Sequence, residues 1–186
     1  MQNIGEAARC GADYLQVREK DLSVRDLEML AREAMARIRA SSGRTRLLIN
    51  SRTDVALAVG ADGVHLRSKD VSPGEVRKIW REAGRATVPI VAVSCHTAAG
   101  VTAGEKSGAD FVVFGPVFGK KDAVDAEAKG SDLLRSVCRS QIPVFALGGV
   151  TVENAASCID AGAKGVAGIR IFQGHDVATV VEKLRG

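Results

Sequence analysis

Pro143-Val144-Phe145-Ala146-Leu147-Gly148-Gly149-Val150-Thr151 is the stretch that decides the fold. An apolar run ends in a glycine pair, and the pattern beyond it predicts a helix near 152–161. Ala161-Gly162-Ala163-Lys164 closes that helix, and Gly165-Val166-Ala167 begins a second apolar run that ends at Gly168-Ile169-Arg170. A strand, a glycine loop, a helix and another strand make one β/α/β unit, which implies parallel strands. Glycines at the carboxyl end of such a strand let backbone N–H groups come close to an anion. A following helix adds the positive end of its dipole. Gly148, Gly149, Gly168, Ile169 and Arg170 therefore read as two loops gripping a phosphate.

The same grammar extends toward the amino terminus. Apolar runs at Tyr14–Arg18, Leu47–Ile49, Gly63–Leu66, Ile90–Val93 and Asp110–Phe114 predict strands. Helical spacing is predicted near 2–10, 23–40, 52–59, 73–83, 98–107, 131–139 and 176–184. Ser23 is a candidate N-cap, and Ser72-Pro73 opens the next long helix. Gly-Ala-Asp recurs at 11–13, 60–62 and 108–110, each time between a helix and a strand, with glycine suited to the helix C-terminus. Near-continuous apolar strands predict burial on both faces of a parallel sheet.

Seven strands result, whereas a closed barrel needs eight and typically about 200 residues or more. No strand precedes the helical pattern at 2–10. An open sheet would also fit, but the pattern fits better a TIM (β/α)8-type barrel lacking its first strand, as a single domain over residues 1–186. The strand edges left unpaired would invite self-association into a homo-oligomer.

Composition narrows the function. The chain has 186 residues, 46% hydrophobic and 26% charged, with a formal charge of +4. Aromatics make up 4%, too few for recognition of nucleic acid by base stacking. The basic residues are scattered, which suits a solvated surface or a pocket for small anions. Cys10, Cys95, Cys138 and Cys158 lack C-x-x-C spacing. They read as reduced thiols in a cytoplasmic protein. No apolar stretch is long enough to span a bilayer.

In a parallel β/α protein the chemistry belongs at the carboxyl ends of the strands. There, alternation puts Gln16, Arg18 and Lys20 on one side of an extended segment; a ligand or a solvated strand end would explain them. Asn50 lies just past a strand, and Ser51 reads as a ligand residue or as a cap for the helix at 52–59. His65 suits a core position, and Asp70 a magnesium ion, which takes one or two carboxylates plus phosphate oxygens. Ser94 suits a ligand contact and His96 a helix start. The long loop from Gly115 to about Gly130 carries Lys120 and Lys121 and reads as a lid or a solvated loop.

Taken in order, the stretches at 16–21 (QVREKD), 49–66 (INSRTDVALAVGADGVHL), 93–97 (VSCHT), 108–118 (GADFVVFGPVF), 146–151 (ALGGVT) and 161–169 (AGAKGVAGI) resemble thiamine phosphate synthase and its thiazole tautomerase relatives. The resemblance implies a (β/α)8 barrel that joins hydroxymethylpyrimidine diphosphate to a thiazole phosphate with magnesium and releases pyrophosphate. It implies that Gln16, Arg18, Lys20 and Asn50 hold the pyrimidine and its diphosphate and that Asp70 holds magnesium. Ser94 would meet the diphosphate, Lys120 or Lys121 the leaving group, and Gly149 with the backbone near Ile169 and Arg170 the thiazole phosphate.

The chain departs from the family pattern at several points. Ser51 stands where the family has a second metal carboxylate, unless Asp54 or phosphate oxygens make up the charge. Arg67-Ser68 stands for Gly-Gln, so Arg67 adds a phosphate contact or fills the metal's place. The loop after Phe118 lacks a Pro-Thr-x-Thr piece, and Arg170 replaces a small residue. Pro116 stands where the tautomerase branch has histidine. Two alternatives follow: a divergent enzyme acting on other thiazole or pyrimidine phosphates, or a non-catalytic phosphate-ligand binding or regulatory domain.

Overall fold

The computed structural model describes residues 2–41, 44–119, 126–172 and 176–185. Among them seven parallel strands alternate with helices, the α/β pattern of the TIM-barrel class. The chain forms two compact units, Met1–Val91 with Val177–Gly186, and Ala92–Asp176.

The first unit contains α1 (Gln2–Arg9), β1 (Tyr14–Val17), α2 (Val24–Arg39), β2 (Arg46–Asn50), α3 (Thr53–Val59), β3 (Gly63–Leu66), α4 (Pro73–Glu82) and α8 (Val177–Arg185). β1 pairs with β2 in the register Gln16↔Leu48, and β2 with β3 in the register Asn50↔His65. α2 buries Leu27, Ala31, Ala34, Met35 and Ile38, an apolar stripe at helical spacing that packs on α3 and β2. Ser23 caps α2 by accepting from the Asp26 amide at 3.2 Å. Ser72 and Glu75 form a reciprocal capping box at α4, with Pro73 in its first turn. These caps fix where the loops before α2 and α4 end.

The second unit contains α5 (Ala98–Lys106), β5 (Phe111–Phe114), α6 (Ala126–Val137), β6 (Val144–Leu147), α7 (Ala155–Asp160), β7 (Gly165–Ala167) and a 3₁₀ turn at Arg170–Phe172. β4 (Ile90–Cys95) begins in the first unit and continues into the second. β5 is buried throughout, and the Phe111 and Phe145 rings pack tilted at 54° with centroids 4.9 Å apart. β6 and β7 align Leu147 with Ala167. Among the described residues no helix is long and apolar enough to cross a membrane.

Four local expectations need correction. Burial on both faces holds for β3 and β5 but not for β1, where Tyr14 and Gln16 are exposed, nor for β7, which is only half-buried. Gly130 does not end the long loop but lies inside α6, which begins at Ala126. A Cβ at Gly130 would stand 1.7 Å from the Val117 carbonyl oxygen, so close backbone approach explains the glycine. α7 begins at Ala155 rather than near 152, because Thr151 and Asn154 close a turn first: the Thr151 amide donates to Asn154 Oδ1 at 2.8 Å. Ser51 does not cap α3; its hydroxyl bonds elsewhere and Arg52 holds the cap position.

Candidate active site

In the first unit the ends of β1, β2 and β3 are joined by one polar chain. Gln16 Nε2 donates to Asn50 Oδ1 at 2.9 Å, and Asn50 Nδ2 donates to Ser51 Oγ at 3.1 Å. Ser51 Oγ donates to Asp70 Oδ2 at 2.5 Å. The direction is forced by chemistry. An ionised carboxylate only accepts, so the single Ser51 proton goes to Asp70. The serine oxygen must then accept from the Asn50 amide, which leaves Asn50 Oδ1 to accept from Gln16. Gln16 is exposed, and its Oε1 is an acceptor that this chain does not use.

Asp70 is the anchor of this chain. Its Oδ2 also accepts from the Arg67 amide at 2.7 Å, and its Oδ1 accepts from Arg67 Nη2 at 3.0 Å and Nε at 3.2 Å. Burial works against the Asp70 charge, but the Ser51 hydroxyl, the Arg67 amide and the Arg67 guanidinium outweigh it. They hold the carboxyl below the ordinary aspartate range. Ser51 itself sits at φ +58, a left-handed conformation that costs a side-chain-bearing residue about 1–2 kcal/mol. Its amide bond to the His65 carbonyl at 3.0 Å holds the turn. His65 is buried, and burial together with the Arg18 charge lowers its pKa to about 4, so the ring is neutral at neutral pH. Arg18 and Lys20 are exposed just past β1.

In the second unit the site is built from backbone. The Val117 amide donates to the Leu147 carbonyl at 2.9 Å, and the Phe118 amide to the Gly148 carbonyl at 3.0 Å, so the β5 loop runs along the β6 loop. Gly148 and Gly149 have φ of +94 and +68. A Cβ at Gly148 would lie 2.7 Å from Pro116 Cα, and one at Gly149 2.7 Å from Phe118 Cβ. β6 and β7 pair up to Leu147 and Ala167, and Gly148 and Gly168 each follow by one residue. Asn154 pins the pair: its Nδ2 donates to the Gly149 carbonyl at 3.0 Å. The Thr-x-x-Asn spacing is the sequence signal for this pin, in the manner of a capping box. Ile169 and Arg170 are exposed, with Arg170 opening the 3₁₀ turn. α7 begins at Ala155, and its N-cap residue is the same Asn154 that is bonded to the Gly149 carbonyl.

Ser94 is half-buried near the end of β4, in register with Val113. His96 directly precedes the α5 cap Thr97, as a helix-start residue should. Its Nδ1 is 2.5 Å from the Gly115 carbonyl oxygen. A carbonyl can only accept, so Nδ1 carries the proton. Lys120 and Lys121 lie outside the described residues.

Matching the whole chain to known proteins decides its kinship. The family model described as thiamine monophosphate synthase matches residues 1–172. The chain belongs to the thiamine monophosphate synthase family. A putative thiamine-phosphate synthase of Geobacter sulfurreducens is 45% identical over 84% of this chain and 71% of its own. A thiamine-phosphate synthase of Methanoculleus marisnigri is 37% identical over 96% of this chain and 83% of its own. Among solved structures, a thiamine phosphate pyrophosphorylase from Pyrococcus furiosus is 30% identical, with a TM-score of 0.82 over 99% of this chain and 86% of that one.

The magnesium ion that thiamine monophosphate synthase kinship implies can be tested against the donors present. Asp70 has both oxygens engaged, one of them by a guanidinium. Ser51 offers a neutral hydroxyl already committed to Asp70, and Asp54 is paired with Arg52 at 2.5 Å. Among the described residues no group of three or more metal-ligating side chains comes together. This donor set does not fit a resident magnesium ion.

Proposed function

We propose that the protein is a thiamine phosphate synthase-type transferase. It joins hydroxymethylpyrimidine diphosphate to a thiazole phosphate and releases pyrophosphate. The observation that carries the reading is the ordered polar chain from Gln16 through Asn50 and Ser51 to Asp70. Gln16 offers a fixed acceptor to a hydrogen-bond donor on the pyrimidine. Arg18 and Lys20 lie one strand-end away, where cations favour the charge that grows on a leaving diphosphate. Ser94, Lys120 and Lys121 serve the same diphosphate in this reading. The two glycine loops take the thiazole phosphate on backbone amides, and Arg170 adds a cation beside them.

The carbon–oxygen bond to the diphosphate breaks, and the thiazole nitrogen supplies the electron pair for the new carbon–nitrogen bond. Gln16 and Asn50 are neutral amides that supply no proton, and the neutral His65 ring adds no charge. All four cysteines are free thiols, which suits a cytoplasmic enzyme. The test is to incubate the folded protein with both substrates and look for thiamine phosphate. Absence of product would refute the reading, and tight binding of thiazole phosphate without turnover would make the protein a binding domain instead.

A further inference from the structure

Arg67 is held as a fixed cation. Its Nε and Nη2 lie on Asp70 Oδ1, and its own amide lies on Oδ2. The Asp70 amide returns a bond to the Arg67 carbonyl at 3.1 Å, which closes the loop on itself. The Ser72 capping box fixes the chain two residues further on. Asp70 is 11% exposed, whereas the Arg67 side chain is 62% exposed. One edge of the guanidinium is therefore spent on the carboxylate. The outer edge, Nη1 with the second hydrogen of Nη2, faces solvent in the fork geometry that matches two phosphate oxygens.

A divalent ion at Asp70 would have to displace this guanidinium and would still find only one charged oxygen, because Ser51 and the Arg67 amide keep the other. An arginine does not need to be displaced to serve the same end: it already brings positive charge to the end of β3.

We propose that the Arg67 guanidinium, seated on Asp70, stands in for the metal and binds the diphosphate group, so that pyrophosphate is held without a resident magnesium ion. The inference rests on the transferase reading for the identity of the diphosphate but not for its binding.

The test is calorimetric titration of inorganic pyrophosphate into the full chain, once in EDTA and once in excess magnesium. Saturable binding in EDTA is expected. Arg67→Gln should weaken it about tenfold or more, the worth of one charged hydrogen-bond pair. Arg67→Lys, which keeps the charge but loses the fork, should fall between. In water-proton relaxation with manganese(II) alone, Ser51→Asp/Arg67→Gln should bind the ion where the unaltered chain does not.

Pyrophosphate binding by the unaltered chain only when magnesium is present would overturn the proposal, whether or not any variant folds. So would unchanged affinity in Arg67→Gln, or manganese binding by the unaltered chain as tight as in the double variant. Thiamine phosphate formation is read separately. Product formed with metal-dependent pyrophosphate binding breaks this inference and spares the transferase. Arg67-dependent binding in EDTA without product does the reverse.

Discussion

The two units build their sites from different materials. In the first, side chains hold one another: Gln16, Asn50, Ser51, Asp70 and Arg67 form a directed chain in which each partner fixes the next. In the second, backbone holds backbone, and glycines stand where no side chain fits: Gly148 against Pro116 and Gly149 against Phe118. A site of the first kind can change its chemistry by exchanging one group, as Ser51 and Arg67 illustrate. One of the second kind cannot change without moving the chain.

That contrast is broken most severely at Gly148. Gly148→Ala adds a Cβ 2.7 Å from Pro116 and retains φ +94. The combined strain and overpacking should cost roughly 2–4 kcal/mol, read as a fall in melting temperature. A stability loss below that of an ordinary surface substitution would show that the loops are not interlocked.

His65 sharpens the comparison through pH. Its folded pKa is about 4 and its unfolded value 6.5. Above pH 6.5 both states are neutral and its contribution is intact. As pH falls through 6.5 the unfolded chain gains the proton first, and stability is lost until about pH 4. The loss should approach roughly 3 kcal/mol in denaturant titrations. His65→Gln should flatten that part of the pH profile.

Ser51→Ala leaves one Asp70 bond unmade and the Asn50 amide without its acceptor. About 1–2 kcal/mol should be lost, together with pyrimidine affinity. Asn154→Ala removes the pin on Gly149 and should cost about 1 kcal/mol and weaken thiazole phosphate binding. The smallest effect belongs to Arg185→Ala. Its pair with Asp13 is half-exposed, and the change should stay within about 0.5 kcal/mol.

The same contrast explains what could be read from the sequence. Backbone features left direct marks: the β/α alternation, the Ser23 and Ser72 caps and the glycine pairs at strand ends follow from local rules. Gly130 misled because a glycine required by close approach to Val117 looks like one that ends a loop. The late start of α7 was hidden in the bonds between Thr151 and Asn154. The polar chain was legible only as a set of residue types. That Ser51 would bond Asp70, nineteen positions away, depends on the pairing of β2 with β3 and on the left-handed turn at Ser51. The saturation of Asp70 by Arg67 was beyond spacing arguments, since three residues apart in a loop fixes no geometry.

The central claim is that both kinds of site serve one coupling reaction. Its most direct test is the stoichiometry of products when hydroxymethylpyrimidine diphosphate and thiazole phosphate are supplied together. The account predicts thiamine phosphate and pyrophosphate in equal amounts. Pyrophosphate released without thiamine phosphate, or no product from a folded chain, would contradict it.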